Sequence, residues 1–247
     1  MIVEELKSLI KVLKEYRRKR KTDLQLFKKF YSDVEQFNAM ATPSKKAEVQ
    51  YYYPCLYDNT GLTVIEPIYF YQDAWAFERI YFRKPGQHID IGSNHKFVAH
   101  LSKIVNLTMV DIRPLSLPMN SIKFIEGSIL NLPFSSNSID SLSSLCVIEH
   151  VGLGRYGDPL DPDGPDKAFR EITRVLKPGA DFYVSVPIEE KDKVYFNAHR
   201  AFNEESLLKH TLSAYEVTDR KYIYGGNYLA EKANGFGIGL YHLKKLK

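Results

Sequence analysis

Between residues 87 and 186 the chain alternates short apolar runs with helical stretches, and each of the first two runs carries an acid at its end. Gln87-His88-Ile89-Asp90-Ile91-Gly92 reads as a strand entering a tight turn, and residues 97–105 as a helix. Residues 107–111, 123–127, 138–145 and 181–186 read as four further strands. Residues 167–176 form a helical pattern with Phe169, Ile172, Val175 and Leu176 inward, closed by Lys177-Pro178-Gly179. Strands alternating with helices require right-handed crossovers, so the sheet is expected to be mostly parallel. A helix after Asn203 and two late strands, 215–224 and 237–246, predict an antiparallel pair at the sheet edge. A short amphipathic helix over 68–80, with Phe70, Ala74, Phe77 and Ile80, precedes the first strand.

In an open α/β sheet the ligand lies beyond the carboxyl ends of the strands. The first strand ends in Asp90-Ile91-Gly92-Ser93, the second in Asp111, 19 residues after Gly92. An acid about 20 residues beyond such a turn accepts hydrogen bonds from a ribose diol. A dinucleotide would need G-x-G-x-x-G, so that backbone N–H groups reach a pyrophosphate. Here the later glycine positions hold Asn94 and Phe97, which disfavours a nicotinamide oxidoreductase. S-adenosylmethionine carries no phosphate and is a cation at sulfur, which suits a looser turn beside Asp90. Both acids also fit as strand-end caps with no ligand.

Several motifs in order carry a resemblance. Asp90-Ile91-Gly92, Val110-Asp111, Gly127-Ser128-Ile129-Leu130-Asn131-Leu132-Pro133-Phe134, Asp140, Glu149-His150 and Val175-Leu176-Lys177-Pro178-Gly179 resemble successive motifs of class I S-adenosylmethionine-dependent methyltransferases. The resemblance spans about residues 65–245. It implies an α/β Rossmann-like fold: a mostly parallel seven-stranded sheet with an antiparallel edge strand, plus N-terminal helices. It implies S-adenosylmethionine as cofactor, held by Asp90, Gly92, Ser93, Asp111, Ile112, Ser128, Ile129 and Leu145. The chain departs from the family in keeping one glycine of E/D-x-G-x-G-x-G and in having Ser128 where an acid contacts adenine. More narrowly, Ser143-Ser144-Leu145, the run at 148–159 and Phe196-Asn197-Ala198-His199-Arg200 resemble a domain-of-unknown-function branch associated with surface-polysaccharide gene clusters. That implies O-methylation of a sugar or nucleotide-linked sugar. The alternatives are an N-methyltransferase on a small molecule or protein, and a non-catalytic Rossmann-like binding module.

Methyl transfer is an in-line displacement, and a hydroxyl acceptor must also lose its proton. His150 and His199, after the fourth and fifth strands, titrate in the range of a general base, and Glu149 would orient one of them. Each fits equally well as a loop-holding residue. Arg155 would match phosphate geometry. Tyr156, Asp158, Asn197 and Arg200 would line the same acceptor pocket. Gln72, Asp73 and Trp75 would either close over the cofactor or pack on the sheet. The acidic loop at 157–166 lacks the spacing and terminal Glu of an EF-hand, so no metal is expected.

The N-terminal part differs in kind. Residues 2–16 carry Ile2, Leu6, Leu9, Ile10, Leu13 and Tyr16 on one helical face. A second helix is predicted from an N-cap at Asp23 through Leu24, Phe27, Phe30, Tyr31 and Val34. Periodicity fades around Thr42-Pro43-Ser44, which predicts a helical extension over 1–45 and a methyltransferase domain over 46–247. Residues 1–50 hold 12 Lys/Arg against 7 Asp/Glu, leaving the rest of the chain at −1. A core that is not basic argues against a nucleic-acid substrate. The block Arg17-Arg18-Lys19-Arg20-Lys21 reads as a solvated helix end, or as contact of residues 14–21 with an anionic membrane or acidic partner. The acids and lysines of the first fourteen residues do not read as a secretion signal, and two cysteines make no disulfide framework, so a cytoplasmic protein is expected.

Overall fold

The computed structural model describes residues 2–247, apart from the side chains of residues 2–9, 11, 12, 15 and 210. The chain divides into two compact units, Met1–Val64 and Ile65–Lys247. The sequence placed a boundary at 45/46.

The first unit is built on one helix, α1 (Ile2–Met40), where two were expected. The basic block contains no glycine or proline, and Arg and Lys are good helix formers, so nothing interrupts the backbone there. Thr22 Oγ1 donates to the Arg18 carbonyl at 3.2 Å, within the helix. Asp23 therefore caps nothing; its carboxylate accepts from the Tyr57 hydroxyl instead. The basic residues are mid-helix, which removes the helix-end explanation of their charge. The apolar face expected over 2–16 lies largely outside the described side chains. After α1, Asn38 and Ala47 exchange two hydrogen bonds at 2.7 and 3.0 Å. Tyr52 returns against Phe30 and Tyr31, with ring centroids 5.8 and 6.4 Å apart.

The second unit is an open sheet. Its strands are β1 (His88–Ile91), β2 (Leu107–Asp111), β3 (Ile122–Glu126), β4 (Ile139–Leu145), β5 (Leu176–Glu189), β6 (Lys193–Tyr195), β7 (His199–Asn203), β8 (Tyr215–Tyr224), β9 (Asn227–Leu229) and β10 (Gly237–Lys245). The main order is β3-β2-β1-β4-β5-β10-β8-β9. Strands β1 to β5 pair in parallel, and β10 runs antiparallel between β5 and β8. The expected late antiparallel pair is β8–β10. The small hairpin β6–β7, which the sequence did not suggest, hangs from the end of β5. The helix expected after Asn203 is a single turn, Glu204–Ser206, running into a π-helix, Leu207–Thr211.

Three helices cover the sheet: α2 (Pro67–Arg83), α3 (His95–Leu101) and α4 (Gly164–Val175). Strand alternation sends neighbouring side chains to opposite faces. Phe182 packs with Ile91, Leu142, Phe169 and Ile172 on the α4 side. Tyr183 packs with Trp75, Ile80, Leu101 and Leu240 on the α2 and α3 side. Burying a side chain of this size contributes roughly 1.5–3 kcal/mol. Polar contacts fix where α2 sits. The Trp75 indole N–H and Arg79 Nε both donate to Asp219 Oδ2 on β8, at 3.1 and 2.6 Å. Trp75 is thus part of the packing, and the chain around it is carried to the carboxyl ends of β1 and β4.

Candidate active site

The site lies where β1, β2 and β4 end side by side. Gly92 leaves β1 with φ 65°, in the left-handed region that suits glycine. A Cβ there would stand 3.1 Å from Val147 Cγ1 and 3.8 Å from Asp111 Oδ2, so the turn threads between the ends of β4 and β2. Asp111 accepts the Arg113 N–H with Oδ1 at 2.9 Å. Among the described residues nothing hydrogen-bonds its Oδ2. Ile112, beside it, is exposed.

The turn is stitched to β4 from below. Asp90 is fully buried; its Oδ1 accepts from the Ser93 N–H at 3.1 Å and its Oδ2 from the Ser143 hydroxyl at 2.5 Å. Ser93 Oγ accepts the Leu145 N–H at 3.0 Å. His88, also buried, lies with Nδ1 2.7 Å from Ser141 Oγ and Nε2 2.9 Å from Ser143 Oγ. Asp90, Ser93 and Leu145 therefore shape the turn. The sequence marked Ser143 only as part of the Ser143-Ser144-Leu145 motif and His88 only as a strand residue, and gave neither a role at this turn. Ser128 Oγ accepts the Leu130 N–H at 3.2 Å in the turn after β3, and Ile129 is buried beside it.

Beyond β4 the chain turns at Cys146, φ 51°, into a single 3₁₀ turn, Ile148–His150. Gln72 of α2 reaches this point: its Oε1 accepts from the Ser185 hydroxyl at 2.7 Å and from Cys146 Sγ at 3.2 Å. That contact carries Asp73 toward the same place. Three carboxyls now stand around the turn with their affinity for protons raised. Burial lifts Glu149 to about 8, Asp73 to about 7 and Asp90 to about 6. Glu149 Oε2 is buried with no hydrogen-bond partner. Among the described residues none of the three forms an ion pair with Lys or Arg. Burial favours the neutral forms of these carboxyls, and a cation brought beside them would favour the charged forms.

His150 sits at its rim. Its Nδ1 lies 2.6 Å from the Ala198 carbonyl, which can only accept, so Nδ1 carries the proton and Nε2 the lone pair. Burial lowers its pKa to about 4, and Nε2 is 3.7 Å from Glu149 Oε1. Tyr156 stands edge-on to His150, ring centroids 5.5 Å apart. The guanidinium carbons of Arg113 and Arg155 lie 4.4 and 5.1 Å from the Tyr156 ring centroid. Arg113 was not anticipated; it follows Asp111 by two residues, where a ligand-facing cation has no sequence signature.

Other expected acceptor residues are engaged differently. Arg200 is buried, donating to the carbonyls of Val151 at 2.6 Å and Asp161 at 3.1 Å. It holds the loop, because a buried guanidinium needs its donors filled. Asp158 accepts the N–H groups of Gly152 and Tyr156 at 2.6 and 3.3 Å. His199 packs between Tyr195 and Phe236, with centroids 4.9 and 5.4 Å away, on the hairpin rather than against His150. Asn197 forms the exposed hairpin corner at φ 62°. Asp161 Oδ2 meets Lys167 Nζ at 2.6 Å, and its Oδ1 accepts the Asp163 N–H at 3.0 Å.

Comparison with solved structures identifies the architecture. N-methyltransferase NodS from Bradyrhizobium japonicum WM9, in complex with S-adenosyl-L-homocysteine, superposes with a TM-score of 0.53 at 14% identity, covering 88% of this chain and 98% of that one. The 1,6-didemethyltoxoflavin-N1-methyltransferase of Burkholderia thailandensis, with bound 1,6-didemethyltoxoflavin and S-adenosylhomocysteine, gives 0.51 at 15% identity, covering 72% of this chain and 79% of that one. The chain has the class I methyltransferase fold. The [4+2]-cyclase SpnF shares it, at a TM-score of 0.52 and 15% identity over 70% of this chain and 81% of that one, so the fold alone does not fix the chemistry. A family model described as Caenorhabditis protein of unknown function, DUF268, matches residues 98–219, from within α3 into β8. No curated protein matches the chain.

Proposed function

We propose that this class I fold is a working S-adenosylmethionine-dependent methyltransferase whose acceptor is an anionic small molecule, as a nucleotide-linked sugar would be. What supports the cofactor reading is the Gly92 turn beside Asp111, whose Oδ2 has no hydrogen-bond partner among the described residues, with the carboxyls of Asp73, Asp90 and Glu149 nearby and none of them ion-paired with Lys or Arg. A ligand with a cationic sulfonium and ammonium and a neutral ribose matches that division. Gly92 supplies the close backbone approach, Asp111 receives the ribose hydroxyls, and Ile112 offers apolar surface for adenine.

When bound, S-adenosylmethionine would supply a methyl group on a good leaving sulfur. The chain's own part is to hold an acceptor hydroxyl in line and to take its proton. His150 is the side chain placed for that, since its Nε2 keeps a lone pair while Ala198 fixes the ring. The new oxygen–carbon bond would form as the carbon–sulfur bond breaks, with that electron pair left on sulfur and the acceptor proton on Nε2. Arg113 and Arg155, held against Tyr156, offer donors to an anionic group on the acceptor. An amine acceptor is the second reading, favoured by the same carboxyls, and it would need no base at His150.

Titration calorimetry with S-adenosylhomocysteine tests the cofactor. Binding in the micromolar range that falls roughly 10- to 100-fold in Asp111→Ala is expected, because charged hydrogen bonds contribute about 1.5–3 kcal/mol. An absence of binding by the unaltered protein would leave a non-catalytic module. His150→Asn separates the acceptors: a hydroxyl acceptor loses turnover, an amine keeps most of it.

A further inference from the structure

The basic stretch of α1 takes no part in the site described above, and it stands on a helix that presents apolar side chains to solvent. Leu13, Tyr16, Leu24 and Phe27 are exposed by 50, 60, 58 and 41%. At 100° per residue these four fall within an arc of about 100° along some 21 Å of helix. Arg20 lies inside the arc that the four span, Arg17 about 20° beyond its edge, and Lys14 and Lys21 farther along the same flank. Residues 14–21 contain six cations and one acid, net +5, while residues 51–247 carry −1. The helix is continuous through this stretch, so the charges and the apolar side chains hold a fixed spacing.

We infer that α1 carries a docking surface for membranes containing anionic phospholipid, with Leu13, Tyr16, Leu24 and Phe27 entering the headgroup boundary and residues 14–21 meeting lipid phosphates. A helix with an apolar face and a Lys/Arg-rich polar margin lies flat in the interface, held by buried area and by attraction to anionic headgroups together. Arginines in and beside the apolar arc suit that site, because their long stems stay in the apolar layer while the guanidinium reaches the phosphates. A second copy of α1 is the poorer occupant. Pairing centred on this stretch would bring Arg17 and Arg20 against their own counterparts. Nucleic acid would answer the charge but leave the apolar side chains in water. Among the described residues no helix is long and apolar enough to cross a membrane, so the contact would be peripheral.

The test is co-sedimentation of the full chain with vesicles of pure phosphatidylcholine and of phosphatidylcholine mixed with phosphatidylserine. Binding to the mixed vesicles alone, weakening as salt rises, is expected. The triple variant Arg17→Gln, Arg18→Gln, Arg20→Gln keeps good helix formers and should lower the partition coefficient on the order of 100-fold. Leu24→Ser with Phe27→Ser should also lose binding, whereas the two variants should keep the unaltered protein's circular dichroism and cofactor affinity. Equal binding to both vesicle types, no binding to either, or full retention in the Leu24/Phe27 variant would overturn the inference. So would release from the mixed vesicles by an oligonucleotide that binds the chain more tightly.

Discussion

The Ser143 hydroxyl donates to Asp90 Oδ2 at 2.5 Å, and its oxygen stands 2.9 Å from His88 Nε2. The hydroxyl proton is committed to the carboxylate, so the histidine must supply the proton in the second contact. His88 is therefore the Nε2–H tautomer, with Nδ1 accepting from Ser141 at 2.7 Å. Burial pushes its pKa down to about 3, which keeps it neutral. A four-residue line of hydrogen bonds thus runs through the sheet and ends on the acid that shapes the turn at Gly92.

Ser143→Ala breaks that line at its centre. It leaves a buried N–H and a buried carboxylate oxygen without partners, a loss of about 1–3 kcal/mol. Urea denaturation should show this as a lower midpoint at unchanged slope. Affinity for S-adenosylhomocysteine should fall as well, because Asp90 then loses one of the two bonds that orient it.

Glu149 gives a pH signature. Its pKa is about 8 in the folded chain, against an ordinary value of 4.5. The unfolded chain therefore releases this proton first, and stability falls as pH rises from the ordinary value through about 8. Glu149→Gln, which mimics the protonated acid, should match the unaltered protein under acid conditions. Above pH 8 it should be the more stable of the two, on the order of 3 kcal/mol. His150 acts in the opposite sense: its neutral form is favoured, so its contribution is present above pH 6.5 and is lost as pH falls toward about 4. Thermal melts of the ligand-free protein across pH separate the two limbs.

Gly152→Ala should separate acceptor from cofactor. Gly152 has φ 80°, and a Cβ there would lie 2.0 Å from the Asp161 carbonyl oxygen. The loop carrying Arg155 and Tyr156 must then shift. Turnover should fall at least about 100-fold, since misplacement of about 1 Å costs that much. S-adenosylhomocysteine affinity, measured by calorimetry, should change little, because the Gly92 turn does not depend on that loop.

Arg155→Ala combined with Arg113→Ala removes both guanidiniums from Tyr156. With an anionic acceptor the expected change is a rise in KM of roughly 10- to 100-fold, from charged hydrogen bonds of about 1.5–3 kcal/mol. With a neutral acceptor KM should hardly move, so steady-state kinetics on paired acceptors decides the point.

The turn after β1 was more legible in the sequence than the loop after β4, for a physical reason. A strand that must end in a tight turn beside a second strand's acid leaves Asp90, Gly92 and Asp111 at fixed separations, and separations can be read. Ser141, Ser143 and His88 meet across strands, through register, and register leaves no local trace. The same holds for Arg200, whose partners Val151 and Asp161 are 49 and 39 residues away in sequence. It read as a ligand contact because exposed arginine is the commoner case, whereas here it is buried. In α1 the error ran the other way: a plausible cap at Asp23 was taken for a boundary, although neither glycine nor proline interrupts residues 16–24.

The Arg200 clamp has a consequence for how this molecule can vary. Its guanidinium joins Val151 and Asp161, while the Asp161 N–H reaches the Gly152 carbonyl at 2.9 Å, so the two ends of the intervening loop are pinned at one neck. A loop tied at its neck can be exchanged like a cassette. Residues 154–157, beyond the buried Leu153 and short of the Asp158 that accepts the Gly152 N–H, can then change chemistry without moving β4 or the turn at Gly92. One scaffold can thereby take on new loop chemistry while the half around Gly92 and Asp111 stays the same.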